Sequence, residues 1–526
     1  MRNLYLLLLF AVLVMPTISC NSKDKKELIV KKSEITFQKS NIPIDSLTIK
    51  SFFNSYPKVQ QYEKDVFELY QKHQYNQIWY DDKGIIELGN TLYNRFKELD
   101  KEGVVAVFPY ESLIDSVFEE IVDNKIAQTD SELLITTLYI FYAKKVVKGI
   151  DEETSKSLEW LLPRKQISYT SLLDSIMLHP DDISKQKKVL FNQYYKLRDV
   201  LQKYREIEKK GGWVNVEVNA DFKVFKPGDS AFQIGQIRDR LFLTGELKQN
   251  NQSTTYDNEL VEAIQKFLEQ NGKNPTDKIE LSTIKLLNIS ITERIKKILV
   301  NMERCRWLSP EMVKANEYVV VNIPSYKLFF VRNGKQELVS PVIVGKAMNK
   351  TVIFSGSMSY IVFSPYWNVP TSIIKKEIKP AIAKNKNYLA SHNMEWNNGN
   401  IRQKPGKNNS LGLVKFIFPN SNNIYLHDTP AKSLFEKETR AFSHGCIRVG
   451  KARDLALTIL KDDPNWTTEK IDAAMNSGKE NWYTLKNKIP VYIGYFTAWV
   501  NANGEINFYD DIYERDERLL KLIYTE

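Results

Sequence analysis

The sequence predicts a multidomain α+β chain: a helical N-terminal region, a small unit of three short helices, and a β-rich C-terminal domain broken by an insertion. Three observations carry this. Apolar residues recur at helical spacing through residues 45–205, as in Val66-Leu69-Tyr70 and Leu133-Leu134-Leu138-Phe141. A turn signal, Phe225-Lys226-Pro227-Gly228-Asp229, opens three helical stretches within residues 219–290. From Tyr318 the pattern changes to β-branched and aromatic runs with turn punctuation. At 526 residues the chain exceeds what one hydrophobic core organises.

Taken in order, Met1-Arg2-Asn3 precedes an apolar run over residues 4–16 and then Thr17-Ile18-Ser19-Cys20. A basic start, about a dozen apolar residues and small residues before a cleavage point describe a secretory signal peptide over residues 1–19. The run is too short to span a membrane. Cys20 at that point resembles a bacterial lipobox, which implies a lipid-anchored mature protein; ordinary signal cleavage is the alternative. The polar residues 20–44 read as a tether, so the expected location is the cell envelope or periplasm, held to a membrane by lipid.

Hydrophobic residues make up 43% and charged residues 26%, the balance of a globular chain rather than a disordered one. The net charge of +10 comes from dispersed lysines without an aromatic-interleaved basic stripe, so no nucleic-acid partner is expected. Three cysteines do not make a disulfide framework.

Residues 45–205 contain the phrases Gln77-Ile78-Trp79-Tyr80-Asp81 and Glu102-Gly103-Val104, while His73 and His179 stand alone and read as structural. In residues 219–290 one helix carries Ile234, Ile237 and Leu241 and stops near Gly245. A second carries Leu260, Ile264 and Phe267 and stops at Gly272, and the third covers residues 281–287. Residues 291–314 read as a connecting helix in which Cys305 packs. A catalytic domain is expected over residues 316–480. Within it Asn333-Gly334 joins two strands, and an insertion at 364–412 carries Trp367 and a helix near 372–383. Residues 481–526 read as a C-terminal extension with a strand-like run and a turn at Asn503-Gly504.

The chemistry concentrates in Ser443-His444-Gly445-Cys446-Ile447-Arg448, with His427 nineteen positions upstream of Cys446. Cysteine is nucleophilic as the thiolate, so a catalytic thiol needs a base or a positive neighbour; this segment supplies two histidines and an arginine. Gly445 lets backbone N–H groups approach a substrate, which suits an oxyanion hole. Tyr425, two residues before His427, shares its face if the run is a strand. No metal-ligand spacing occurs here, and no cofactor is expected.

Tyr425-Leu426-His427-Asp428-Thr429-Pro430 followed by Arg440-Ala441-Phe442-Ser443-His444-Gly445-Cys446-Ile447-Arg448-Val449 resembles the signature of L,D-transpeptidases with a YkuD-type catalytic domain. The resemblance implies a scaffold domain at 45–205, a peptidoglycan-binding-like domain at 219–290, and a mixed β-sandwich with a capping insertion. It also implies Cys446 as nucleophile, His427 as general acid and base, and the backbone carbonyl of Asp428 orienting His427. Ser443, His444 and Trp367 then contact substrate or support the loop. Arg448 holds a stem carboxylate or braces the cysteine loop. The implied reaction is thioester formation on a peptidoglycan tetrapeptide donor, release of D-alanine, and transfer to a diaminopimelate amine as a 3→3 cross-link. Carbapenems are implied covalent inhibitors. The same residues serve an L,D-carboxypeptidase or endopeptidase, or a protein-to-wall transferase; a non-catalytic wall-binding lipoprotein is the non-enzyme alternative.

Overall fold

The computed structural model describes residues 44–119, 126–178 and 189–525. The signal peptide, Cys20, the tether up to residue 43 and His179 lie outside them.

The scaffold region is helical because its apolar positions form stripes that need covering. Its central helix, Gln128–Tyr142, is buried on every side. A buried carboxylate needs hydrogen-bond donors, and Glu132 on this helix takes three. Its partners are the backbone N–H groups of Ile78 (2.7 Å) and Trp79 (3.0 Å) and the Tyr70 hydroxyl (2.7 Å). Burial pushes the Glu132 carboxyl up to about 7. The Gln77-to-Asp81 phrase is therefore an anchor of the scaffold core. His73 pairs with Asp174 at 3.0 Å, a structural contact.

The expected connecting helix is Ile291–Trp307, and it ties the scaffold to the β-rich domain. Its Glu303 accepts from the Ile150 N–H (2.6 Å), the Trp307 indole (2.8 Å) and Arg306 (2.7 Å). Its Asn301 exchanges two hydrogen bonds with Thr497. Cys305 is buried among these contacts, and burial pushes its thiol far above the ordinary range.

The three expected helices of the small unit are Phe232–Thr244, Asn258–Gln270 and Leu281–Leu287. They close a core of their own around Ile237, Leu241, Tyr256, Leu260, Ile264 and Phe267.

The β-rich domain is built on strands β1 (Glu317–Asn322), β2 (Lys327–Arg332), β3 (Lys335–Gly345), β4 (Ile353–Phe363), β5 (Val414–Ile417), β6 (Leu426–His427), β7 (Ile447–Val449) and β8 (Asn481–Gly494). Their spatial order is β5-β6-β7-β3-β2-β1-β8-β4, and β4 also pairs with β5, so the sheet closes on itself. Asn333 and Gly334, both at positive φ, make the β2–β3 turn as the sequence predicts. One expectation is corrected: residue 481 does not begin an extension. β8 pairs in parallel with β1 and antiparallel with β4, and alternate side chains such as Val491 and Ile493 fill the core, which places it inside the sheet.

The insertion forms a separate three-stranded sheet, Trp367–Asn368, Asn400–Gln403 and Met394–Asn397, over its own small core of Val369, Ile373, Ile374, Ile378, Met394 and Ile401. The expected helix near 372–383 is divided into Thr371–Ile373, a π-type turn Ile374–Ile378, and Lys379–Lys384.

Candidate active site

β6 and β7 are parallel, with Leu426 opposite Ile447 and His427 opposite Arg448. Side chains alternate along a strand, so opposite residues share a face. Leu426 and Ile447 are fully buried in the core. Tyr425, His427, Cys446 and Arg448 therefore gather on the other face. The ladder continues to the cysteine, because the Ile447 N–H donates to the Tyr425 carbonyl at 3.2 Å. His427 on β6 and Cys446, immediately before β7, are thus neighbours. β5 adds a residue that sequence reasoning missed: Lys415 lies opposite His427 on the other side. Across three strands the row reads Lys415, His427, Arg448.

His427 is buried, and its Nδ1 lies 2.5 Å from the Asp428 carbonyl oxygen. A carbonyl only accepts, so Nδ1 carries the proton of the neutral ring and the Nε2 lone pair is left for base chemistry. Burial, then the Arg448 charge, pulls His427 down to about 3, against the opposing pull of the Asp428 and Leu411 carbonyls; Lys415 pulls in the same direction as Arg448. The implied orienting role of Asp428 is thereby given a geometry. Its carboxylate has a different task, accepting from the Leu413 N–H (3.0 Å) and from Lys432 (2.5 Å) to fix the turn. Gly412 permits that turn: it sits at φ +63°, and a Cβ there would collide with the Asp428 side chain.

The Cys446 thiol donates to the Asn423 carbonyl at 3.6 Å in this conformation. The loop that presents Asn423 is held by Asn420, whose side chain donates to the carbonyls of Phe418 and Ile424. Burial pushes the thiol above its ordinary range, although Tyr425, Lys415 and Arg448 each oppose this. Thiol and imidazole are both neutral, so the pair is a poised nucleophile and base, not a preformed ion pair. The Tyr425 hydroxyl approaches Cys446 on one side and the Trp367 indole on the other. Burial holds that phenol protonated, and it keeps a proton to donate toward sulfur or a developing oxyanion.

The cysteine loop is braced from within. Ser443 is buried; its hydroxyl donates to the Cys446 carbonyl (2.5 Å) and accepts from the Gly445 N–H (3.1 Å). This makes Ser443 a loop support. It also corrects the expectation for Gly445, whose N–H is already engaged; what Gly445 supplies here is its φ of +115°. Thr351, another residue missed from sequence, donates to the Gly445 carbonyl and accepts from the Gly345 N–H, each at 2.9 Å. The Tyr513 hydroxyl then accepts from the Thr351 N–H and donates to the Gly345 carbonyl. Neither has a local motif, since both act from distant sequence. His444 faces outward and pairs with Glu377 of the insertion. His392 stacks on Tyr388 and takes no part in the site. Among the described residues no cluster of His, Cys, Asp and Glu is arranged to hold a metal ion.

Residues 316–469 match the L,D-transpeptidase catalytic domain of the YkuD type, and residues 64–201 match a Scaffold domain.

The chain carries an L,D-transpeptidase catalytic domain.

A Haemophilus influenzae protein named "Putative L,D-transpeptidase" is 34% identical over 245 residues, covering 43% of this chain and 49% of that protein. The chain thus spans about half the length of this curated relative. Among solved structures, an L,D-transpeptidase from Stackebrandtia nassauensis is 14% identical over 51% of this chain and 94% of its own, with a TM-score of 0.21. An L,D-transpeptidase from Mycobacterium smegmatis is 11% identical over 34% of this chain and 59% of its own, with a TM-score of 0.20. L,D-transpeptidase 3 from Mycobacterium tuberculosis, in complex with a faropenem-derived adduct, is 14% identical over 34% and 60%, with a TM-score of 0.19. A catalytic domain and a scaffold domain, both implied by the signature, are matched, and residues 219–290 have the expected helices.

Proposed function

We propose that this protein is an L,D-transpeptidase that forms 3→3 peptidoglycan cross-links through a thioester on Cys446. The observation that carries this reading is the shared face of β6 and β7, where Tyr425, His427, Cys446 and Arg448 stand together with His427 held in the base tautomer.

The thiol turns from Asn423 toward His427, and Nε2 takes its proton as sulfur attacks the carbonyl between diaminopimelate and D-alanine. The tetrahedral oxyanion is met by the Tyr425 hydroxyl. The C–N bond breaks, His427 returns the proton to the leaving amine, and D-alanine departs. The diaminopimelate amine of a second stem attacks the thioester, losing a proton to His427. Sulfur leaves and is reprotonated. Attack by water in this last step yields a tripeptide, the carboxypeptidase outcome. Lipidation at Cys20 would hold this chemistry at the envelope surface.

Purified protein incubated with disaccharide-tetrapeptide, followed by mass spectrometry, is expected to yield cross-linked dimer and free D-alanine, with neither from Cys446→Ala. Tripeptide without dimer would assign the carboxypeptidase reaction instead, and an active Cys446→Ala would remove the thioester. A carbapenem is expected to add its mass to the wild-type protein and not to that variant.

A further inference from the structure

Lys415 is a cation placed beside the catalytic pair without an assigned task. It lies opposite His427 in the β5–β6 register, and its ammonium sits 4.7 Å from the centre of the Tyr425 ring. Among the described residues its ammonium has no carboxylate within ion-pair distance. The charges that act on it are those of Glu480 and of Cys446. Glu480 is otherwise engaged, accepting from the Tyr366 N–H (2.9 Å) and the Trp482 indole (3.0 Å). A half-buried ammonium left unpaired is costly unless something else supplies its counter-charge. The opposing strand already has Arg448, so a second cation is not needed to favour the thiolate.

Strand order decides which part of a substrate meets Lys415. Cys446 stands immediately before β7, His427 is on β6 and Lys415 on β5. The acyl carbon bonds to sulfur over β7. The leaving nitrogen must lie near His427 over β6 to receive its proton. Continuing in that direction, the next strand is about 4.8 Å further on and carries Lys415. Beyond its leaving nitrogen, a tetrapeptide donor has one Cα and then the terminal carboxylate. Lysine suits this position: a flexible stem, lying along the Tyr425 ring, delivers a point charge that follows the carboxylate as it departs.

We propose that Lys415 reads the free C-terminal carboxylate of the leaving residue, restricting donors to stems whose scissile bond is the last peptide bond of the chain. This rests on the acyl-transfer reading above. Donors with D-alaninamide, or with one more residue after the scissile bond, place no charge at Lys415.

The test compares acyl-enzyme formation on the full chain from two donors, disaccharide-tetrapeptide with a free terminal carboxylate and the same stem ending in D-alaninamide. Wild type is expected to prefer the free acid by about 10- to 100-fold in kcat/KM, the range set by one charge-assisted hydrogen bond. Lys415→Met is expected to bring that ratio close to one, and Lys415→Arg to restore most of it. Equal use of both donors by wild type overturns the inference while leaving the acyl transfer standing. So does a Lys415→Met protein that is slower on both donors with an unchanged ratio, since that is the behaviour of a residue that only tunes the thiol. Failure of wild type on both donors overturns the acyl-transfer reading itself, and the inference with it.

Discussion

His444 Nε2 lies 3.0 Å from Glu377 Oε1, and this hydrogen bond joins the cysteine loop to the insertion. The two residues are 67 positions apart and belong to units with separate cores. Both are partly exposed, so the pair contributes modestly, about 0.2–1 kcal/mol, and less at high salt. Its consequence is positional. It ties the insertion to the loop that carries Cys446 and turns the His444 ring toward Glu377. Glu377→Gln and His444→Ala are each expected to speed alkylation of Cys446 by a bulky reagent. The double variant should be no faster than either single one. Additive rates would show that the two residues act separately.

His427→Ala is expected to lose acylation by carbapenem or tetrapeptide by about 10²- to 10⁴-fold, the usual contribution of a positioned base. His444→Ala should retain measurable acylation, because its ring is turned to Glu377. Intact-mass measurement of the acylated fraction over time separates them, and a worse defect at His444 would reverse the roles.

The pH dependence of the thiol follows from burial. Cys446 is pushed above its ordinary range, so its thiolate fraction at neutral pH is small and rises about tenfold per unit until the raised value is passed. Alkylation by a small neutral reagent should therefore climb through pH 7–9 without a plateau. His427, pulled down to about 3, protonates only as pH falls toward that value. Substrate acylation should then show no loss of base around pH 6–7. A thiolate plateau already present at pH 7 would contradict the first statement, and a fall in acylation around pH 6–7 the second.

Gly412→Ala should act on the catalytic histidine from a distance. A methyl group there collides with the Asp428 side chain, on a backbone with φ +63°. The expected cost is about 1–3 kcal/mol, with reduced acylation as the Asp428 carbonyl moves off His427 Nδ1. Thermal melting and acylation rate, measured together, check it; an unchanged melting temperature would show that the turn yields freely.

Thr351→Val keeps the shape and removes a hydroxyl that serves two buried backbone groups, the Gly445 carbonyl and the Gly345 N–H. Leaving each unsatisfied costs about 1–3 kcal/mol. The variant should lose stability and, because Gly445 precedes the nucleophile, acylate more slowly. Normal acylation by a destabilised protein would confine Thr351 to the fold.

Much of this was legible in the sequence because it is local. The strand-turn-strand signals at Asn333-Gly334, the helix stops at Gly245 and Gly272, and the His427/Cys446 signature are each written within a few residues of where they act. What escaped is non-local. Lys415 reads as one lysine among many until register sets it opposite His427. Thr351 and Tyr513 support the cysteine loop from positions with no motif. The boundary at 481 was misplaced because β8 carries exposed residues at its start, and its central place shows only once β1 and β4 are seen pairing on either side.

The position of β8 also sets the order in which the site is assembled. The signature is complete once Val449 has been synthesised, yet β1 and β4 are joined only when residues 481–494 arrive. A chain still being synthesised therefore carries His427 and Cys446 without a closed sheet around them. The Tyr513 brace on the cysteine loop likewise comes into being only with the last part of the chain. Because pairings of such long sequence separation form slowly, the closed sheet around His427 and Cys446 is completed late.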